Sequence, residues 1–199
     1  MSAYSISRRG FVFSSLAALL PFGAAKADDG APAAPVPRSC VVWFSRTGHT
    51  RRVADAIRVV SGAKPFEIKL NDPTRYSDEY RKATKEVLAE IERGVKPEIE
   101  APSVPVDDFD VFFIGTPTWW HHVSTPVQAW LETVDLNGKI VMPFTTHGGG
   151  FEAQTREDFL RYGLGADVKP TLVIWGRNWG SFEGTVEDWI RECGVAHPR

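Results

Sequence analysis

Apolar residues fall into five short runs along the chain, each followed by a stretch with helical spacing. The first run, Cys40 to Ser45, leads into Thr50 to Ser61, where Val53, Ile57 and Val60 share one helical face that ends at Gly62. Lys64 to Leu70 alternates through Phe66, Ile68 and Leu70, as a half-exposed strand does, and stops at the turn Asn71-Asp72-Pro73. A second helix is expected from Ser77, with Asp78 and Glu79 in its first turn, Tyr80, Val87, Leu88 and Ile91 along it, and Gly94 after it. Pro97 to Pro105 is proline-rich and reads as a loop.

Phe109 to Gly115 is nearly continuous in apolar residues, the pattern of a strand covered on both faces, so it is expected at the centre of the sheet. Thr125-Pro126-Val127-Gln128 opens a third helix through Trp130, Leu131 and Val134, with proline at its first position and a threonine-to-glutamine capping box. Lys139 to Thr145 is a fourth strand in which Pro143, unable to donate to a ladder, predicts a bulge or an edge. Glu152 to Tyr162, Thr171 to Trp175 and Thr185 to Cys193 complete the series as helix, strand and helix, the last opened by a capping box from Thr185 to Asp188. The alternation predicts an α/β fold: a doubly wound, five-stranded parallel sheet between two layers of helices. In such sheets ligands sit outside the carboxyl ends of the strands, so the loops after strands one, three, four and five are expected to converge.

Ahead of this pattern the chain is of another kind. Met1 to Ala27 carries Arg8 and Arg9, an apolar segment from Phe11 to Ala25 broken by Pro21 and Gly23, and the small-residue site Ala25-Lys26-Ala27. That is an export signal, too short and too interrupted for a permanent membrane anchor. Ser7-Arg8-Arg9-Gly10-Phe11-Val12 resembles the twin-arginine motif of the bacterial Tat route, which implies export of a folded protein to the periplasm or beyond. Asp28 to Arg38 reads as a flexible linker, leaving 39–199 as one domain. Without Arg8, Arg9 and Lys26 the 23 basic residues become 20 against 25 acidic, a balance of −5. With no basic stripe, a nucleic-acid partner is disfavoured.

The loop after strand one, Ser45-Arg46-Thr47-Gly48-His49-Thr50, puts three hydroxyls and a glycine at a strand-to-helix turn. Helix-start amides lack internal partners and carry the positive end of the dipole, so such a turn holds a phosphate without a lysine. The plain alternative is a polar turn capped by Thr50. After strand three stands Thr116-Pro117-Thr118-Trp119-Trp120-His121-His122, whose adjacent indoles fit a flat apolar ligand, or else fold back over the sheet edge. After strand four, Thr146-His147-Gly148-Gly149-Gly150-Phe151 lets backbone approach a ligand's polar edge. Gly148-x-Gly150-x-x-Ala153 formally matches a dinucleotide fingerprint. It lies in the fourth βα unit with no acidic residue at the expected distance, so a nicotinamide site is rejected. No P-loop lysine supports a nucleoside triphosphate.

With these loops in this order, the stretch from Ser39 to Cys193 resembles the flavodoxins. The resemblance implies a flavodoxin-like fold with bound FMN. Ser45, Arg46, Thr47, Gly48, His49 and Thr50 would hold its phosphate. Pro117, Thr118, Trp119, Trp120 and His121 would line the ribityl chain and isoalloxazine, and Thr146, His147, Gly148 and Gly149 would face the ring's polar edge. Trp179 is a further candidate wall. His147, where the family more often has serine, and the pair His121-His122 depart from the usual pattern.

His49, His121, His122 and His147 fall on the expected ligand edge without cysteine or carboxylate partners at recognised metal spacings, so no metal is expected. Reduced flavin gains negative charge near its pyrimidine edge. His121, His122 and His147 are therefore candidate catalytic groups that stabilise that charge or pass a proton to an acceptor such as a quinone. The modest charge and histidine-rich rim favour an oxidoreductase. A one-electron carrier and a flavin-free binding module are the alternatives, and the redox donor and acceptor are open. Cys40 and Cys193, the only cysteines, are either a disulfide, as an oxidising compartment favours, or two separate buried thiols, and a redox-active pair is disfavoured because no Cys-x-x-Cys spacing exists.

Overall fold

A computed structural model describes residues 36–178 and 180–195. The expected export signal, the expected linker up to position 35 and Trp179 lie outside the described residues.

Five strands carry the sheet: β1 (Ser39–Trp43), β2 (Lys64–Glu67), β3 (Val111–Trp119), β4 (Ile140–His147) and β5 (Leu172–Trp175). They lie side by side in the order β2-β1-β3-β4-β5, all parallel. Between them run α1 (His49–Ser61), α2 (Tyr80–Arg93), α3 (Thr125–Leu131) and α4 (Thr155–Tyr162), with α5 (Glu183–Glu192) last. Because side chains alternate across a strand, β1 sends Val41 and Trp43 to one face and Cys40 and Val42 to the other. On the first face they pack with Val53 and Ile57 of α1 and with Val186 and Ile190 of α5. On the second they meet Val87 of α2, Val127 and Trp130 of α3, and Phe159 of α4. The result is the expected three-layer, flavodoxin-like α/β arrangement, with β3 central as its apolar run predicts. The crossover from β1 to β2 runs one way along the sheet and that from β2 to β3 runs back past β1, so the chain reverses its winding between β1 and β3.

Several expected boundaries move, each for a local reason. The segment Lys64 to Leu70 splits: β2 ends at Glu67, and Lys69–Leu70 pairs antiparallel with Ile99–Glu100, which lies inside the expected proline-rich loop. α2 starts at Tyr80 instead of Ser77, since the Ser77 hydroxyl takes the Glu79 amide and the Glu86 carboxylate takes the Ser77 amide. Neither capping box forms. Thr125 sits inside α3 with its hydroxyl on Glu90, and Thr185 lies inside α5, whose cap is Phe182. α4 begins at Thr155, after a turn through Glu152.

Pro143 lies within β4 opposite Ile114, and no bulge is needed. The Lys169 amide donates to the Val141 carbonyl at 2.9 Å and the Gly176 amide to the His147 carbonyl at 2.8 Å, so odd-numbered β4 residues face the edge side. There the edge ladder is interrupted: Val141 pairs with Val168 and Phe144 with Leu172, and the gap between them matches the donor that Pro143 lacks. Cys40 and Cys193 are free thiols that pack on opposite faces of the sheet, which removes the disulfide reading.

Gly115 of β3 pairs with Phe144 of β4, and a Cβ at Gly115 would stand 2.1 Å from the Phe144 ring. Phe144 is fully buried in the close-packed core, so a methyl at Gly115 must displace its ring. Gly115→Ala is expected to cost about 1–3 kcal/mol of stability, read as a lower urea midpoint. An unchanged midpoint would show the sheet to be looser at this point than the packing implies.

Candidate functional site at the carboxyl ends of the strands

The first loop delivers the chain from β1 into α1 through Gly48, whose φ of 85° is left-handed and open to glycine at no steric cost. No side chain caps α1, so Thr50 is not the cap of a plain polar turn. Its hydroxyl instead meets the Thr146 hydroxyl at 2.9 Å, tying the first turn of α1 to the end of β4. Thr47 Oγ1 lies 3.0 Å from His49 Nδ1. The Ser45 hydroxyl oxygen is buried without a hydrogen-bond partner. Arg46 turns away from the helix start and donates to the Ser77 carbonyl at 3.0 Å. Arg52 donates to the carbonyls of Asn178 and Gly180, drawing the loop after β5 onto α1. A shallow depression lined by His49, Arg52, Thr146, Trp175, Gly176 and Asn178 lies between these elements.

The second loop divides its two indoles. Trp119 is half-buried, with Phe44 edge-on at 5.6 Å and Tyr76 edge-on at 4.9 Å, so part of this indole packs over the sheet edge and part stays open to solvent. Trp120 is 41 % exposed, with its Nε1 donating to the Thr84 carbonyl of α2 at 2.9 Å. Pro117 and Thr118 close β3, and the Thr118 hydroxyl lies 2.7 Å from that of Thr145. His121 is exposed at the tip. His122 pairs antiparallel with Trp119 and places Nδ1 3.0 Å from the buried Asp158 carboxylate of α4.

In the third loop His147 is buried at the end of β4, and its Nδ1 accepts the Gly149 amide at 3.2 Å. That bond leaves the ring proton on Nε2. Burial also holds the His147 pKa below its ordinary value, favouring the uncharged imidazole. Phe151 lies against the His147 ring at 5.0 Å and is 70 % exposed.

Loops two and three are joined to one another. The Gln154 amide donates to the His121 carbonyl at 2.8 Å, Thr118 Oγ1 to the Phe151 carbonyl at 3.2 Å, and Asp158 accepts the Val123 amide at 3.0 Å. Among the described residues four non-glycine residues hold positive φ, Trp120, His121, Phe151 and Ala153, and all of them lie in these two loops. Such backbone costs of order 1–3 kcal/mol per residue and persists where surrounding contacts over-determine it, commonly at ligand sites.

The predicted residues are thus gathered at one pole, with distinct surroundings. Thr146 supports the first loop, His122 is engaged with α4, and His121 and His147 belong to the loops that meet at Gly150, where a Cβ would stand 3.9 Å from His121 Nδ1. Among the described residues no group of three or more His, Cys, Asp or Glu side chains is placed to hold a metal ion. Sequence reasoning missed Tyr76, Glu90 and Asp158. Glu90 had a signal, a carboxylate on the same helical stripe as Ala83 and Val87.

A sheet ordered 2-1-3-4-5, with loops converging outside its carboxyl ends, defines the doubly wound class that binds ligands at the reversal of strand order. Residues 38–192 match the flavodoxin family, and the chain belongs to it. A protein from Bacteroides eggerthii described as a flavoprotein shares the fold at a TM-score of 0.69 and 23 % identity, covering 80 % of this chain and 99 % of its own. A flavoprotein from Lactobacillus acidophilus, solved in complex with FMN, has a TM-score of 0.63 and 19 % identity, covering 77 % of this chain and 99 % of its own. No curated protein sequence matches the chain.

A pH signature follows from His147. Its folded pKa lies below the unfolded value near 6.5, so as pH falls through that value the unfolded chain takes up a proton that the folded chain refuses. The contribution is complete above pH 6.5 and lost below it. Urea midpoints measured from pH 8 to about 5.5 should fall less steeply in His147→Gln than in the parent. Parallel curves would show that His147 titrates alike in both states.

Proposed function

We propose that the chain is an exported, FMN-binding oxidoreductase of the flavodoxin family, passing electrons through its flavin to a small acceptor such as a quinone. The observation that carries the reading is the buried, unpartnered Ser45 hydroxyl beside the uncapped start of α1. A buried polar atom without a partner costs about 1–3 kcal/mol, and a phosphate oxygen on the helix amides would satisfy it.

Ser45, Thr47 and the first-turn amides of α1 would hold the phosphate, while the Thr50–Thr146 bond keeps that turn seated on β4. Pro117, Thr118, Trp119 and Trp120 would wall the ring system, and His147, Gly148 and Gly149 would face its polar edge. When bound, FMN would supply the electron store between donor and acceptor. The chain's part is to place uncharged imidazole at His147 and exposed imidazole at His121 beside that edge, where charge and protons move on reduction. His122, engaged with Asp158, would orient the second loop. The FMN seen in the Lactobacillus acidophilus flavoprotein names the flavin to test first. The arginine pair Arg8-Arg9 supports Tat export of the folded protein to the periplasm, as needed where a cofactor is loaded before crossing.

Purified protein should be yellow and release FMN, identified by mass, at one equivalent per chain. Colourless protein that takes up no FMN would make the chain a flavin-free module on this fold. Ser45→Ala should weaken FMN binding about tenfold, measured by quenching of flavin fluorescence. In the loaded enzyme His121→Ala and His147→Gln should each slow quinone reduction. If neither changes turnover or flavin potential, the histidines have no part in the chemistry. Replacing Arg8 and Arg9 by lysine should leave uncleaved precursor in the cytoplasm, and unaffected export would point to another route.

A further inference from the structure

The most deeply buried charge among the described residues is the Glu90 carboxylate, 0 % exposed and remote from the three loops in sequence. Arg75 donates to its Oε1, while the Tyr76 hydroxyl at 2.8 Å and the Thr125 hydroxyl at 2.8 Å both donate to Oε2. Tyr76 Oη and Thr125 Oγ1 are themselves 3.2 Å apart, and the Arg75 guanidinium stands 5.7 Å from the Tyr76 ring centre. Burial pushes the Tyr76 phenol well above its ordinary range, so it stays protonated and donates.

Burying an ion pair is a poor route to stability, because well-packed apolar side chains of similar volume do as well or better. What the carboxylate achieves is position. Its donors come from the segment before α2 and from the first residue of α3, and these bracket the second loop. The Tyr76 ring is edge-on to Trp119 at 4.9 Å, and Phe44 is edge-on to the same indole at 5.6 Å. The same helix that carries Glu90 also holds Trp120, through the Thr84 carbonyl.

We propose that Glu90 is a positioning residue of the cofactor site, acting through Tyr76 and Thr125 to fix Trp119 as a rigid wall before the flavin arrives. The inference rests on the FMN reading for the wall's purpose, and on the chain's own contacts for the wall's rigidity. A wall held in place in the free protein spares the ligand the cost of ordering it.

The test compares Tyr76→Phe, which removes one hydroxyl, and Glu90→Gln with Val186→Ala, a core truncation on the opposite face of the sheet. Trp119→Phe identifies the near-ultraviolet circular dichroism band of that indole in flavin-free protein. Tyr76→Phe and Glu90→Gln should lose this band and bind FMN about tenfold more weakly, whereas Val186→Ala should lower the thermal midpoint with band and affinity intact. Should Glu90→Gln fail to fold, Tyr76→Phe decides. The proposal is overturned if the variants keep the band, or lose it while binding FMN as tightly as the parent. If the parent itself binds no FMN, the functional reading falls and the band alone decides whether Glu90 positions Trp119.

Discussion

The site depends on the start of α1, which no side chain caps. A helix following a buried strand must begin somewhere, and its first turn needs partners from outside the helix. Here Gly48 bends the chain so that the helix opens at the carboxyl end of β1, without a side chain to cap it. Thr50 is drawn down to Thr146 and Arg52 across to the loop after β5, so the turn is fixed from two neighbours while its amides stay uncapped by side chains. The same geometry leaves the Ser45 hydroxyl buried without a partner. This is the turn on which the proposed phosphate would rest.

Around that anchor the other two loops form one cross-tied rim. Hydrogen bonds join Gln154 to His121 and Thr118 to Phe151, and Asp158 takes both the Val123 amide and the His122 ring. The left-handed residues Trp120, His121, Phe151 and Ala153 are held by these contacts, which places the backbone strain where ligand contacts are expected. Buried polar groups behind the rim have a similar logic, since Glu90 links two segments that flank the second loop.

Much of the fold was legible in the sequence because burial dictates it. The continuous apolar run at Phe109 to Gly115 marked the central strand, and glycines 62 and 94 marked the ends of α1 and α2, both in left-handed conformation. Boundaries set by side-chain competition were not legible. Thr125 and Thr185 sit in capping-box spacing, yet the first hydroxyl is claimed by Glu90, 35 positions away in sequence, and the second residue lies inside its helix. Pro143 carried a correct signal of a missing donor, but only the neighbouring strand shows that the ladder breaks opposite it. In the site, the bend into α1 was readable from Gly48, which takes the left-handed conformation there. The separate fates of Trp119 and Trp120 depend on Tyr76 and Thr84, which no local pattern connects to them.

The central claim is that an anionic cofactor tail rests on the first turn of α1, and amide shifts read that turn directly. In nitrogen-15 spectra of flavin-free protein titrated with FMN, the amides of Gly48, His49, Thr50 and Arg51 should move first and furthest, and riboflavin, which lacks the phosphate, should leave them nearly still. Equal shifts with both ligands, or shifts confined to other parts of the sheet edge, would contradict the account.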